Sequence, residues 1–261
     1  MSGGRGRRAA PAPGRRVVYL DLDGTLLGPG GSALRDEGGA FTHDGVRALE
    51  AAHRAGAAVV LASGRSRPRL EAVRQVLGAD GILPEMGALD AGYPVEPGQT
   101  VHEAIAATGI PEALLRAEPR LRVHAPAQAG REGSHVFAGR IGPAAHELVR
   151  EMSGGMLRLA DNGRVGDGAH VYHLLPAHAS KAEAVARDVA ARGVEPADCL
   201  AVGDSGQDLD MGGAVGAVAI VRNGADADPA VAARAAWVTR GSYGAGVLEA
   251  ITAWLQGRAV T

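Results

Sequence analysis

Lysine is almost missing from this chain. Of its 27 basic residues 26 are arginine, and the exception is Lys181, in the stretch "AHASKAEAV". Aromatics make up only 3%, so a core has to be packed mainly from Ala, Val, Leu and Ile. A single cysteine, Cys199, rules out an internal disulfide and gives no sign of an oxidising compartment; inside the apolar run "CLAV" it reads as a buried core thiol. No apolar run approaches the roughly 20 residues of a membrane-spanning helix, and the N-terminus lacks the continuous apolar segment of a signal peptide. No membrane partner is expected, and the chain reads as cytoplasmic. The nine histidines show no paired metal-ligand spacing, so no zinc site is expected.

Charge is unevenly placed. Residues 1–16, "MSGGRGRRAAPAPGRR", carry five arginines and no acid and read as a disordered Arg-rich tail. The remainder has 22 basic against 29 acidic groups. A body of that sign is a poor ligand for polyphosphate backbones, so no nucleic acid is expected for the folded part.

Short apolar runs ending in Gly, Asp or Ser alternate with amphipathic stretches, the pattern of a parallel sheet covered by helices. Strands are expected at 17–20, 57–62, 81–83, 199–202, 217–221 and 236–239, with helices at 44–55, 67–77, 180–192, 207–214, 228–234 and 244–256. Residues 89–175 break this rhythm. They contain Pro and Gly clusters, helical stretches around "TVHEAIAATG" and "PAAHELVREM", and extended pieces near "RVHAP", "SHVFAG" and "GMLRLADNGRVGDGAHVYHLL". The "DNG" in the last piece is a tight-turn signal for a hairpin, and "DNGRVGDG" lacks the ligand spacing and closing Glu of a calcium loop. The expected fold is therefore α/β, a Rossmann-like core with a parallel sheet and an inserted smaller α+β domain.

The apolar run "VVYL" leads directly into "DLDGTLL". Asp21 and Asp23, separated by one residue at the carboxyl end of a buried strand, should emerge at one sheet edge. Open α/β sheets hold their sites at that edge. Two carboxylates held close together are costly unless a cation compensates. "VVLASGR" ends the second strand with Ser63 and Gly64, a hydroxyl and a backbone N–H suited to a phosphate oxygen. "LAVGDSGQDLDM" ends another with Asp204 and Asp208, and Lys181 opens the helix before it.

In these residues the sequence resembles the haloacid dehalogenase (HAD) superfamily of aspartate-nucleophile phosphatases, through "DLDGT", the Ser of "ASGR", the Lys of "SKAEAV" and "GDSGQD", in that order. The resemblance implies that Asp21 is the nucleophile, forming an aspartyl-phosphate, and that Asp23 is the general acid and base. Mg²⁺ would be held by Asp21, the Asp23 carbonyl, Asp204 and Asp208, the last directly or through water. Ser63 and Lys181 would complete the catalytic set, and Gly24, Gly64, Arg65 and Lys181 would bind phosphate or substrate. Lys181 would pair with Asp21 and the phosphoryl oxygens as a compact charge, where arginine's wide fork would not fit. Dehalogenating relatives lack the second acid, so Asp23 implies phosphoryl transfer.

Between Asp23 and Ser63 there is room only for a flap and one helix, so the specificity domain is expected at 89–175, with the catalytic core at 17–88 and 176–261. That placement resembles the IIB caps of sucrose-phosphate, trehalose-phosphate, mannosyl-phosphoglycerate and Cof-type phosphatases. It implies a small sugar or sugar-like phosphate monoester as substrate and leaves a homodimer open. Gln207 stands where Asn is common, and Met86 where "ENGA" is frequent. His124, Arg131, His135 and Arg140 are candidates for contacts to sugar hydroxyls. The alternatives are a phosphomutase of the same fold and, from another class, a non-catalytic binding or regulatory module.

Overall fold

A computed structural model describes residues 16–165 and 168–257; the expected tail lies, except for Arg16, outside the described residues. The larger sheet contains β1 (Arg16–Leu20), β2 (Ala57–Ala62), β3 (Gly81–Leu83), β8 (Cys199–Gly203) and β9 (Ala217–Ile220). All its pairings are parallel, in the order β3-β2-β1-β8-β9. The strands are apolar throughout because both faces are covered. Val18, Leu20, Val59, Leu61, Leu200 and Val202 pack with Leu49 of α1 (Asp44–Arg54), Leu70 of α2 (Arg67–Leu77) and Val247 and Ile251 of α11 (Tyr243–Leu255). Their alternates Val17, Tyr19, Val60, Cys199 and Ala201 pack with Val185 and Val189 of α7 (Lys181–Arg192). Cys199 is buried, as expected.

A second, antiparallel sheet in the order β4-β5-β7-β6 is built from β4 (Leu121–Val123), β5 (His135–Gly139), β6 (Leu157–Val165) and β7 (Ala169–Pro176). One face packs Phe137, Leu159, Tyr172 and Leu174 against α3 (Val101–Ala107), α4 (Ile110–Ala117) and α6 (Ala144–Met152) through Ile105, Leu114 and Val149. The other face turns to the first sheet's side of the molecule, where Ala160 and Leu175 pack with Met86, Ala88 and Ala179.

Some expectations need correction. Residues 236–239 form no strand of their own: only Val238 bridges to Ile220, an edge pairing with a hydrogen bond from Thr239 N to Ile220 O. The helix expected at 207–214 is a short α8 (Gly206–Leu209) followed by a 3-10 turn at Asp210–Gly213, and an unexpected short helix, α9 (Arg222–Ala227), follows β9 ahead of α10 (Pro229–Arg234), which stands where a helix was expected. "RVHAP" is extended only to Val123, after which α5 (Ala125–Gln128) begins with Pro126 in its first turn. "DNG" is not the hairpin turn. β6 runs through it with a register shift between Asp161 and Arg164, the Asp161 side chain accepting from Gly163 N, so the same turn chemistry makes a bulge.

Candidate active site

Sheet register brings the three strand ends level. Leu20 pairs with Leu61 on one side and Val202 on the other, so Asp21, Ser63 and Asp204 emerge side by side at the carboxyl edge. Asp21 N donates to Val202 O, which holds that edge together one residue past β1. α7 starts at the same edge. Ser180 caps it by accepting from Glu183 N, and Lys181, the first helical residue, lies buried. Its ammonium donates to Asp21 Oδ1 at 2.6 Å and to Asp208 Oδ1 at 2.8 Å.

Asp208 has both oxygens engaged, because Oδ2 accepts from Asp204 N, Ser205 N and Ser205 Oγ. It therefore fixes both Lys181 and the Asp204 loop. The Thr25 hydroxyl lies between the other two carboxylates, 3.1 Å from Asp21 Oδ2 and 3.0 Å from Asp204 Oδ1. Gly24 sits at φ +89°, and a Cβ there would lie 2.4 Å from Asp204 Oδ2; only glycine admits both the conformation and the approach. Its carbonyl accepts from Asn223 Nδ2 at 2.7 Å, while Asn223 Oδ1 accepts from Tyr243 N.

Asp21, Asp204 and Asp208 each offer an oxygen within 4.8 Å of the others. Burial pushes Asp21 up to about 6 against the pull of Lys181, with Asp208 and Asp23 adding to the rise. Burial, then Asp21 and Asp208, push Asp204 up to about 8. Burial alone would lower the Lys181 pKa, but Asp208 and Asp21 outweigh it and raise it above its ordinary value. Three carboxylates against one ammonium leave a net negative site. An all-oxygen donor set of that charge fits a hard divalent cation.

Asp23 turns outward, with 57% of its side chain exposed. Arg65 grips it with two bonds, Nε to Oδ2 at 2.8 Å and Nη2 to Oδ1 at 2.5 Å. Ser63 is buried, and its Oγ accepts from Arg65 N. The expected residues thus fall into two adjacent groups: Asp21, Lys181, Asp204 and Asp208 in direct contact, and Asp23, Arg65 and Ser63 beside them.

Several site neighbours were absent from the sequence reading or misread in it. Glu85, fully buried at φ +50°, accepts from Ser134 Oγ at 2.7 Å, Glu132 N at 2.9 Å, Gly133 N at 3.1 Å and Arg131 Nη1 at 3.3 Å. Arg131 also donates to Gly64 O at 2.8 Å. It is a buried tie to the Ser63–Gly64 turn and not a group on an open surface. His135 packs on the opposite face, stacked on His102 with centroids 3.8 Å apart. Arg140 lies with Arg120, His170 and Tyr172 around an open cavity of about 540 Å³ at the far end of the antiparallel sheet. Gln207 reaches across to donate to Asp161 O at 2.8 Å, a span that one methylene less would shorten. Met86, also left-handed at φ +54°, fills the apolar contact between the two sheets. "DGT" held the signal for Thr25 and "EMGA" one for Glu85, of which only the Met86 position was weighed; Asn223 had none.

A family profile described as haloacid dehalogenase-like hydrolase matches residues 18–101 and 158–251. The chain is 26% identical over 250 residues to a phosphoglycolate phosphatase of Methanoculleus marisnigri, covering 90% of this chain and 95% of that one. Its fold is similar to that of Thermoplasma acidophilum protein 0175, with a TM-score of 0.65 and 21% identity over 95% of this chain and 100% of that one. It is also similar to the sucrose-phosphatase of Synechocystis, with a TM-score of 0.62 and 19% identity over 92% and 97% of the two chains. Among the described residues no helix is long and apolar enough to cross a membrane.

Proposed function

Because the chain belongs to the haloacid dehalogenase-like hydrolases and is a phosphoric monoester hydrolase, we propose that it cleaves a small sugar or sugar-like phosphate through an aspartyl-phosphate at Asp21, with Mg²⁺ as cofactor. The observation that carries this reading is the buried ammonium of Lys181 set between Asp21 and Asp208 at 2.6 and 2.8 Å. Lys181 orients the Asp21 carboxylate and offers its remaining proton to a phosphoryl oxygen, stabilising charge as it spreads over the transferring group.

In the first step an Asp21 oxygen forms the bond to phosphorus and the ester P–O bond breaks, with Asp23 protonating the departing alkoxide. In the second, Asp23 takes a proton from water, whose oxygen bonds to phosphorus and releases Asp21. For either step Asp23 must be free of Arg65. An arriving phosphoryl group offers the guanidinium a second partner for its two-pronged grip, which would release Asp23 at the moment it is needed. The Ser63 hydroxyl and the Gly64 N–H lie at the same edge and would take further phosphoryl oxygens.

Asp21, Asp204 and the Asp23 carbonyl would hold Mg²⁺, with Asp208 bracing Lys181 and reaching the ion at most through water. A bound Mg²⁺ supplies positive charge against the three carboxylates and the phosphoryl oxygens. We assign the core to residues 17–88 and 176–261 and a substrate-covering cap to residues 89–175. The name of the Methanoculleus relative adds phosphoglycolate to the compounds worth assaying.

The test is phosphate release from a panel of phosphorylated sugars, polyols, nucleotides and phosphoglycolate, with and without chelator. Metal-dependent release with no bisphosphate activator is expected. Transfer that needs a bisphosphate and releases no phosphate would make the protein a mutase instead. The Asp21→Asn variant is expected to lose at least about a thousandfold in kcat.

A further inference from the structure

One row of the cap sheet is built for something that the protein itself does not supply. Its members are neighbours across three strands. His124 N donates to Val136 O, Val136 pairs with His173, and His173 pairs with Ala160. Strand alternation puts this row on the face away from the cap helices, since Phe137, Leu159, Tyr172 and Leu174 occupy the helix-covered face and Ala160 packs toward the core with Met86.

His173 is 98% buried, with a relative exposure of 2%. Among the described residues its Nδ1 has no hydrogen-bond partner, and neither does the buried Nδ1 of His124. A buried polar atom without a partner is rare and costly, and it calls for an occupant. Their position points to which one. A Cβ placed on Gly64 would lie 3.3 Å from His173 Cε1 and 3.4 Å from Asn162 Nδ2, so both cap side chains sit directly against the turn proposed to hold the phosphoryl group. Asn162 arrives there from the β6 bulge.

We infer that His173 and His124, with Asn162 beside them, form the wall that recognises the leaving group, and that this wall selects a short chain carrying hydroxyl groups close to the ester oxygen. The inference rests on the phosphatase reading above and names the substrate class within it. The cap's close approach to Gly64 limits the leaving group to a short one. Hydroxyls follow from the state of the rings. Burial, then Arg131, His124, Lys181 and Arg158, hold His173 well below its ordinary pKa, so it is neutral, with one donor and one acceptor nitrogen. A hydroxyl both donates and accepts and so satisfies Nδ1 in either tautomer; a carboxylate, which only accepts, does so in one of the two. The cations that bear on His173 are engaged elsewhere, and Arg65 beside Gly64 is held by Asp23. Arg131 is matched by Glu85, Lys181 by Asp21 and Asp208, and Arg158 donates to Ala177 O and Ala179 O.

The test compares kcat/KM for glycerol phosphate, propyl phosphate and phosphoglycolate in the full-length Mg²⁺-loaded protein, with p-nitrophenyl phosphate as a reference ester. The wild type is expected to favour glycerol phosphate over propyl phosphate at least about tenfold, the scale of a lost hydroxyl contact in a built site. His173→Phe should bring that ratio close to one whichever way the absolute rates move, and His173→Gln, which keeps a donor and an acceptor, should restore part of it. His124→Phe should lower the ratio independently. A ratio unchanged in His173→Phe overturns the inference, as does a wild-type preference for phosphoglycolate that His173→Phe removes. Failure to hydrolyse any of the four esters while another phosphate ester of the wider panel is turned over also overturns the inference and leaves the phosphatase reading standing; no release from any ester of that panel would sink both.

Discussion

Lys181 is the residue on which composition and geometry meet. In a chain that writes every other cation as arginine, the one lysine is buried between two carboxylates. A guanidinium carries its charge on a broader, flatter head and cannot make both contacts from the same stem without displacing Asp208. Lys181→Arg is therefore expected to fold, to keep the net charge and to lose about a hundredfold or more in kcat, measured on whichever ester the panel identifies. Near-normal turnover would remove the steric argument. The main site residues were legible because each sits at a strand end or a helix start that short apolar runs announce. His173 was not. Nothing in "VYHLL" distinguishes a histidine facing the core from one facing the cap helices until pairing with Val136 and Ala160 fixes the face. Met86 was illegible for a similar reason: it adopts a backbone conformation that favours Asn or Gly, and the apolar contact between two sheets that it fills is a tertiary fact.

At the scale of elements, the alternation of apolar runs and amphipathic stretches was enough to locate the strands of the parallel sheet and most of its helices. It failed where length or tertiary contact decides. α4 and α9 are short, and 236–239 lies on a sheet edge with a single bridge. The tie from Glu85 to Arg131 was also unreadable, since the two are 46 residues apart and, although Glu85 opens the "EMGA" stretch, Arg131 belongs to no motif that would pair it with Glu85. Their contact is a buried ion pair in which the carboxylate also takes two backbone N–H groups and a hydroxyl. Removing one partner of such a pair leaves a buried charge uncompensated. Arg131→Ala is expected to cost about 3–5 kcal/mol in chemical denaturation, and to loosen the Gly64 carbonyl that Arg131 also holds. A loss below about 1 kcal/mol would mean that the contact is solvated and does not fasten the loop around Arg131 to Glu85.

For the molecule as a whole, the carboxylate cluster sets a pH dependence. Asp21 and Asp204 rise from 3.8 to about 6 and about 8 on folding without a metal, so over that interval the folded state binds more protons than the unfolded one. Stability of the metal-free protein should therefore fall as pH rises from about 4 to 8. Mg²⁺ should reverse this, raising Tm more at pH 8 than at pH 5; at a hundredfold excess over its Kd the stabilisation is about 2.7 kcal/mol. Thermal scans at the two pH values, with Mg²⁺ and with chelator, measure it. An Mg²⁺ shift equal at both would separate the ion from these carboxylates.

The most direct test is to stop turnover in acid within the first catalytic cycle and map the phosphoryl group on the protein by peptide mass spectrometry. The mechanism predicts one phosphoryl group on the peptide containing "DLDGT", at Asp21, absent from Asp21→Asn and lost as turnover completes. A phosphoryl group on any other side chain, or a burst of released alcohol with an unmodified Asp21, would contradict it.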